Sequence, residues 1–331
     1  MARLTLSIGF AVNPRTAPLI EGAVAVEGVD LVPSVLHPAE TFWRQLKFGD
    51  FDAAEMSLSS FMMATARGDA RFVGLPVFCS RRFFHTEVIV RRAAGIERPE
   101  DLKGRRVAVP EYQQTAALWT RGILRHEWGV TPSDIDWWME REPSHSHGGA
   151  TGFEPPPGVS VHSIPADKSI GSMMVAGEVD ATLLYIVHDN MVDRSTIDLA
   201  RHPDMRPLFA DRRAEGIRYF KKTGMFPINH AVVVKREIAE RHPWVILNLY
   251  KAFERALALA ERRRTEHVGD HVATGLIDAA AADALAQPLY RHGVKANRAI
   301  LETCARYSHE QGLTPRLMTI DDLFAASTLE Q

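Results

Sequence analysis

The residues able to do chemistry in this 331-residue chain gather at four places. The first is an elbow, Glu111-Tyr112-Gln113-Gln114-Thr115, between a short β-branched run at Val107–Val109 and an apolar-periodic run from Thr115 to Trp128. A strand that turns into a helix there aims the first helical amides outward with the helix dipole behind them, which cradles a carboxylate or phosphate. Gln113, Gln114 and Thr115 add neutral donors; in the plainer reading Thr115 only caps the helix. The second place is a set of arginines, whose planar forks suit carboxylates: Arg15 at the mouth of a helix expected from Thr16 to Gly22, and the adjacent Arg81 and Arg82. Successive side chains of an extended segment alternate, so only one of Arg81 and Arg82 faces a given side, and Arg81 is assigned to it. The third is a pair of histidines, His85 and His230, each at the start of a β-branched strand; imidazole is the side chain that titrates nearest neutrality. The fourth is a group of polar residues at strand ends: Glu55, Ser57 and Ser59 early in the chain, Tyr185 and His188 later.

The elements that must position them alternate strand and helix. Strands are expected at 4–8, 29–35, 72–77, 86–91, 107–109 and 231–235, and helices at 39–48, 115–128, 169–176, 279–286 and 297–311. A long helical pattern over 237–263 contains Pro243 and should split there. Phe48-Gly49-Asp50-Phe51-Asp52-Ala53 and Ala176-Gly177-Glu178-Val179-Asp180-Ala181 share one grammar, namely a helix, a glycine cap, an acidic turn and a strand opening on Asp-Ala. One copy in each half suggests two similarly built α/β lobes. Ligands of such sheets bind beyond the carboxyl ends of the strands, where Glu55, Ser57 and Tyr185 fall. The two histidine-led strands read as crossings, which gives lobe one as 1–90 plus 231–331 and lobe two as 91–230. Residues 144–158 are the most loop-like segment. His145-x-His147 has metal-ligand spacing, but with no clear third ligand in sequence it reads as a surface loop, and no metal site is assigned.

The totals narrow the function classes. Apolar residues make up 46% and charged residues 24%, an ordinary globular composition. A net charge of −2 gives no reason to expect nucleic acid. No apolar run approaches the roughly 20 residues that span a bilayer. The opening residues run into an alternating strand with no basic-then-apolar leader, so a cytoplasmic location is expected. Cys79 and Cys304 are far apart and read as free thiols. No nucleotide loop, Schiff-base lysine context or flavin fingerprint stands out, and no cofactor is expected.

Leu102-Lys103-Gly104-Arg105-Arg106-Val107-Ala108-Val109-Pro110 resembles the approach to the second lobe of type II periplasmic binding proteins. More closely, the chain resembles the 4,5-dihydroxyphthalate decarboxylase family, on Asn13-Pro14-Arg15-Thr16, Glu55-Met56-Ser57, Arg81 to His85, Pro110 to Ala116, Phe226 to His230 and Thr319 to Phe324. The resemblance implies a two-lobed, type II periplasmic-binding-protein-like α/β fold, each lobe a mixed sheet flanked by helices, with the ligand cleft between the lobes. It also implies cofactor-independent removal of carbon dioxide from a small aromatic dicarboxylate, and it leaves room for a homo-oligomer. That chemistry needs an acid and a base: protonation of the ring carbon expels carbon dioxide, helped by a base near the phenol para to it. His85 and His230 are the candidates, with Glu55 next; Arg15, Ser57, Arg81, Tyr112, Gln113, Gln114, Thr115 and Tyr185 would hold the substrate. The rival is a solute-binding protein that captures a carboxylate and does no chemistry. A pyrimidine-precursor synthase of the same fold would need a cysteine-rich iron motif, against which two isolated cysteines argue.

Overall fold

A computed structural model describes residues 3–187 and 190–331, so His188 lies outside the described residues. The first sheet has the order β2-β1-β3-β11-β4, with β1 Leu4–Phe10, β2 Val29–Val35, β3 Ala53–Ser57, β4 Phe72–Arg81 and β11 Ile228–Lys235. β1 runs parallel to β2 and β3, whereas β11 returns antiparallel between β3 and β4. The second sheet has the order β10-β5-β9-β6-β7-β8, with β5 Ile89–Arg91, β6 Arg106–Val109, β7 Asp136–Met139, β8 Val161–Ser163, β9 Ala181–Thr182 and β10 Met205–Pro207. These two mixed sheets with their flanking helices make the two-lobed α/β architecture expected from the sequence.

Why these residues make sheets is plain from β11. Ala231 and Val233 face one core and Val232 and Val234 the other, and all four are buried. A strand covered on both faces reads as a continuous apolar run. Helix Trp244–Ala273 covers one face with Val245, Leu249 and Phe253, and its predecessor Arg236–Arg241 stops before Pro243, as the proline requires.

The repeated grammar is a structural repeat. Helix Pro38–Phe48 ends on Gly49 (φ 67°) and helix Ile170–Ala176 on Gly177 (φ 77°), both in the left-handed region that favours glycine. Asp52 then accepts a hydrogen bond from the Ser7 amide at 2.9 Å, and Asp180 one from the Arg106 amide at 3.1 Å. Each aspartate pins its strand to the parallel neighbour, at Ile8–Ala53 in one lobe and Val107–Ala181 in the other.

The lobe division moves. A boundary at 90/91 would cut β5, which pairs in the second sheet, and one at 230/231 would cut β11, which belongs wholly to the first. The crossings therefore fall between 81 and 89 and between 207 and 228. The strand expected from Thr86 shrinks to Ile89–Arg91, because Phe84–Glu87 turns as a 3-10 helix with Phe84 and His85 buried. Helix Thr115–Trp128 packs against lobe one: Trp119 Nε1 donates to the Ile228 carbonyl at 2.8 Å. Gly122 lies so close to Tyr307 of helix Arg298–Glu310 that a Cβ would sit 2.0 Å from the ring. Among the described residues no helix is long and apolar enough to cross a membrane.

Candidate active site

A cavity of about 260 Å³ opens between the lobes. That is just under the ~300–1,000 Å³ typical of small-molecule sites, a size suited to a single ring. Its lobe-one floor is a row across three strands: Ser57 of β3, His230 of β11 and Ser80 of β4 are register partners, and all three line the cavity. Glu55 stands two residues before Ser57 on the same face of β3, the diagonal position from which a long side chain reaches its cross-strand neighbour. Its Oε1 lies 2.7 Å from His230 Nδ1, and its Oε2 accepts from the Ala11 amide at 3.1 Å. Glu55 is 2% exposed and does not line the cavity, so it touches it only by way of the histidine. Asn229 Nδ2 is 2.7 Å from His230 Nε2.

The elbow forms the facing wall. Gln114, Thr115 and Ala116 line the cavity, and the Gln114 side chain does not cap the helix, so among the described residues its first amides have no side-chain acceptor. Thr115 Oγ1 accepts from the Ser59 amide and lies 2.9 Å from Ser57 Oγ, tying elbow to floor. The buried Gln114 Nε2 has no hydrogen-bond partner among the described residues and is a donor available to an anion. Phe42 packs edge-on against His230, with ring centroids 4.7 Å apart, and supplies an apolar wall for a ring.

The 143–152 segment closes the third side. Expected as a surface loop, it instead buries His147, whose Nδ1 lies 2.6 Å from Ser60 Oγ of lobe one. His147 Nε2 lies 3.2 Å from Glu111 Oε1. Glu111 also accepts from Gly148 N at 2.9 Å and Arg141 Nη1 at 3.0 Å, and Arg141 forks onto Asp193. Burial, with Arg141 and His230 nearby, lowers the His147 pKa to about 4 against the pull of Glu111 and Asp193, so the ring is neutral at pH 7. Arg141 Nη1, which can only donate, also reaches His147 Nε2, at 3.5 Å.

Several expected residues are elsewhere. His85 is fully buried beside Phe83, Trp128, Phe209 and Tyr219, with Nε2 3.1 Å from Glu215, and it does not line the cavity. Despite burial, Arg218 and His85 hold Glu215 down to about 2. Arg81 turns inward to Asn297 and to the carbonyls of Arg291 and Phe226, and burial brings its pKa to about 10; Arg82 lines the cavity in its place, its guanidinium 3.2 Å from Glu87. The alternation rule was right, but what chose the inward arginine is segment 291–297, over 200 residues away. Arg15 donates to the Cys79 carbonyl and stacks on Tyr290. Tyr112 stacks on Phe153 beneath Arg121, and Gln113 is spent on Glu111; both support the elbow from behind. Tyr185 lines the cavity, but its hydroxyl donates to the Ile197 carbonyl at 2.6 Å and burial raises its pKa to about 12. Sequence reasoning gave no site role to Arg141 or Asn229 and left His147 to a surface loop. The signal for His147 was the glycine pair after it: a Cβ at Gly149 would come 1.9 Å from the Pro143 carbonyl oxygen, so glycine is needed there for the turn that carries His147.

Across its full length the chain is 34% identical to the 4,5-dihydroxyphthalate decarboxylase of Comamonas testosteroni, covering 100% of this chain and 99% of that one. The chain belongs to the 4,5-dihydroxyphthalate decarboxylase family. A Pseudomonas putida protein of the same name is 37% identical over 183 residues, 55% of this chain and 71% of its own. Residues 20–151 match the family described as ABC transporter, phosphonate, periplasmic substrate-binding protein. Among solved structures, the periplasmic aliphatic sulphonate binding protein of Escherichia coli superposes with a TM-score of 0.57 at 17% identity, over 99% of each chain. That likeness concerns the fold; the decarboxylase family places this chain among enzymes built on it.

Proposed function

We propose that this protein removes carbon dioxide from 4,5-dihydroxyphthalate, giving 3,4-dihydroxybenzoate, with its own side chains as the catalytic groups. The observation that carries the reading is the buried Glu55–His230 pair opening on a ring-sized cavity in a chain of this family. The ring would lie against Phe42. The carboxylate that stays would accept from Gln114 and the first amides of helix Thr115–Trp128, with Arg82 supplying positive charge.

Electron density from the hydroxyl para to the departing carboxylate makes that ring carbon basic. His230, paired with Glu55 through Nδ1, delivers a proton there from Nε2 once the substrate takes the place of the Asn229 amide: the N–H bond breaks and a C–H bond forms. The bond to the carboxylate then breaks, its electron pair restores the aromatic ring, and carbon dioxide leaves. One proton is consumed per turnover and His230 recovers it from solvent. His230 and its positioning partner Glu55 carry the reaction; His85 and Arg81 have no part in it.

The test is turnover of 4,5-dihydroxyphthalate by purified protein in D2O, with and without chelator. Carbon dioxide release with one deuterium at the vacated ring carbon is the expected result, and it should survive chelation. Tight binding with no release would favour the rival solute-binding reading. The proposal carries with it a cytoplasmic location, in keeping with the buried, unpaired Cys79 and Cys304, which cell fractionation checks. Light scattering on the same preparation reads whether the chain forms a homo-oligomer.

A further inference from the structure

The elbow that would hold a carboxylate stands in an acidic setting. Glu111 and Asp193 share one guanidinium, that of Arg141, so this wall of the cavity carries two carboxylates to one cation. His147 beside them is neutral at pH 7. A wall that is itself negative repels an anion. The missing positive charge lies behind the elbow, at Arg121 of helix Thr115–Trp128. Arg121 is 1% exposed and makes no ion pair among the described residues. Helical side chains lean toward the N-terminus, and this one reaches back to the elbow. Its Nη1 donates to the Tyr112 carbonyl at 2.6 Å, and its guanidinium carbon lies 3.7 Å from the centre of the Tyr112 ring. Nε donates to Gln311 Oε1 at 2.9 Å, and Nη2 has no partner among the described residues. Both acceptors are neutral. Burial lowers the pKa to about 10, opposed by Tyr112, so the group stays charged at pH 7.

We propose that Arg121 is the buried countercharge of the elbow: without touching the ligand, its guanidinium strengthens the hold of Gln114 and the first helical amides on a carboxylate, the more so the more negative the ligand. The inference rests on the decarboxylase reading above for the identity of that ligand. Hydrogen bonds to two neutral acceptors need no charge, and a guanidinium buried away from any carboxylate is costly. An anion seated at the elbow supplies the opposite charge that the folded chain withholds. Tyr112 and Gln114 are two residues apart, so the guanidinium lies within about 10 Å of a carboxylate held there. At that range and an effective dielectric of about 20, one unit charge is worth roughly a factor of ten in affinity. Arg82, the cation on the lobe-one side of the cavity, is exposed to water and offset by Glu87, so it contributes less at a distance. The arrangement suits a dicarboxylate, and it favours release of a product that has lost one of its two negative charges.

The test removes the charge in two ways and keeps it in a third. Arg121→Met deletes it. Gln311→Glu leaves Arg121 in place but puts a carboxylate where Nε now finds a neutral acceptor, and so carries the test if Arg121→Met does not fold. Arg121→Lys keeps the charge and loses the fork. Binding of benzoate and of phthalate, with one and two negative charges, is measured by titration calorimetry at pH 7. Arg121→Met and Gln311→Glu should each weaken benzoate by roughly tenfold and phthalate by more, and Arg121→Lys should recover most of the loss. In turnover of 4,5-dihydroxyphthalate the same two variants should raise KM with kcat nearly unchanged. Equal losses for the two ligands, full affinity in folded Gln311→Glu, no recovery in folded Arg121→Lys, or a wild-type protein that binds neither ligand overturns the proposal. Calorimetry needs no turnover, so a wild-type protein that shows the charge-dependent binding but releases no carbon dioxide overturns the decarboxylase reading and leaves this inference standing.

Discussion

Glu55→Gln is the sharpest perturbation of the proposed chemistry. Glu55 Oε1 lies 2.7 Å from His230 Nδ1, the carboxylate side chain is 2% exposed and the imidazole 11%. Water screens neither group, so the bond counts as a charge-assisted hydrogen bond, worth about 1.5–3 kcal/mol. The protonated ring is the form that delivers the proton to carbon, so losing the carboxylate that favours it lowers the share of enzyme able to react. At about 1.4 kcal/mol per tenfold, kcat should drop roughly 10- to 150-fold. The amide is isosteric, and its oxygen can still accept from the Ala11 amide, 3.1 Å away in the native protein, so the loop before Thr16 keeps its anchor. KM should change little, because Glu55 does not line the cavity. The assay is initial-rate carbon dioxide release across substrate concentrations, with circular dichroism to confirm folding. A folded variant with unchanged kcat, or one altered only in KM, would refute the role of the pair.

Acid should weaken the fold through two buried histidines. Burial holds His147 at about 4 and His292 at about 3, both below the ordinary value of 6.5. The unfolded chain takes up these protons below about pH 6.5 while the folded protein does not, so stability is full above that pH and falls as pH drops toward 4. For His147, 6.5 − 4 spans about 3 kcal/mol, and in urea unfolding between pH 7 and 4 His147→Gln should show a slope shallower by one proton. Arg82→Ala should raise KM by about tenfold with kcat nearly unchanged, as expected for one rim contact to a carboxylate; a fall in kcat alone would contradict the anchoring role. His85→Gln should cost about 1–3 kcal/mol in unfolding experiments, since it disturbs a buried contact to Glu215, while the folded fraction turns over at the wild-type rate. Lost turnover in fully folded His85→Gln would return His85 to the mechanism.

Much was legible in the sequence because it depends on short-range rules. The elbow helix starts at Thr115 and ends at Trp128 as its periodicity requires. The two glycine caps and the Asp-Ala openings specify equivalent turns in both lobes through left-handed glycines and strand-pinning carboxylates. His230, Glu55, Ser57, Gln114 and Thr115 were all within reach of that reasoning, since each stands at a strand end or a helix start where α/β sheets gather ligands. The tertiary structure decided what depends on distant partners. Arg81 and Arg82 are equivalent to local rules, and it took Asn297 and the Arg291 carbonyl to draw one inward and leave the other at the cavity. His85 and His230 look alike in sequence; one is enclosed by Trp128, Phe209 and Tyr219, whereas the other lies in a three-strand row with Ser57 and Ser80. His147 sat in the segment that seemed most loop-like, because a loop's own residues do not say what it folds onto. The contact with Ser60, 87 residues away, makes it part of the site. Periodicity and capping are properties of neighbours along the chain, while burial and charge compensation belong to neighbours in space.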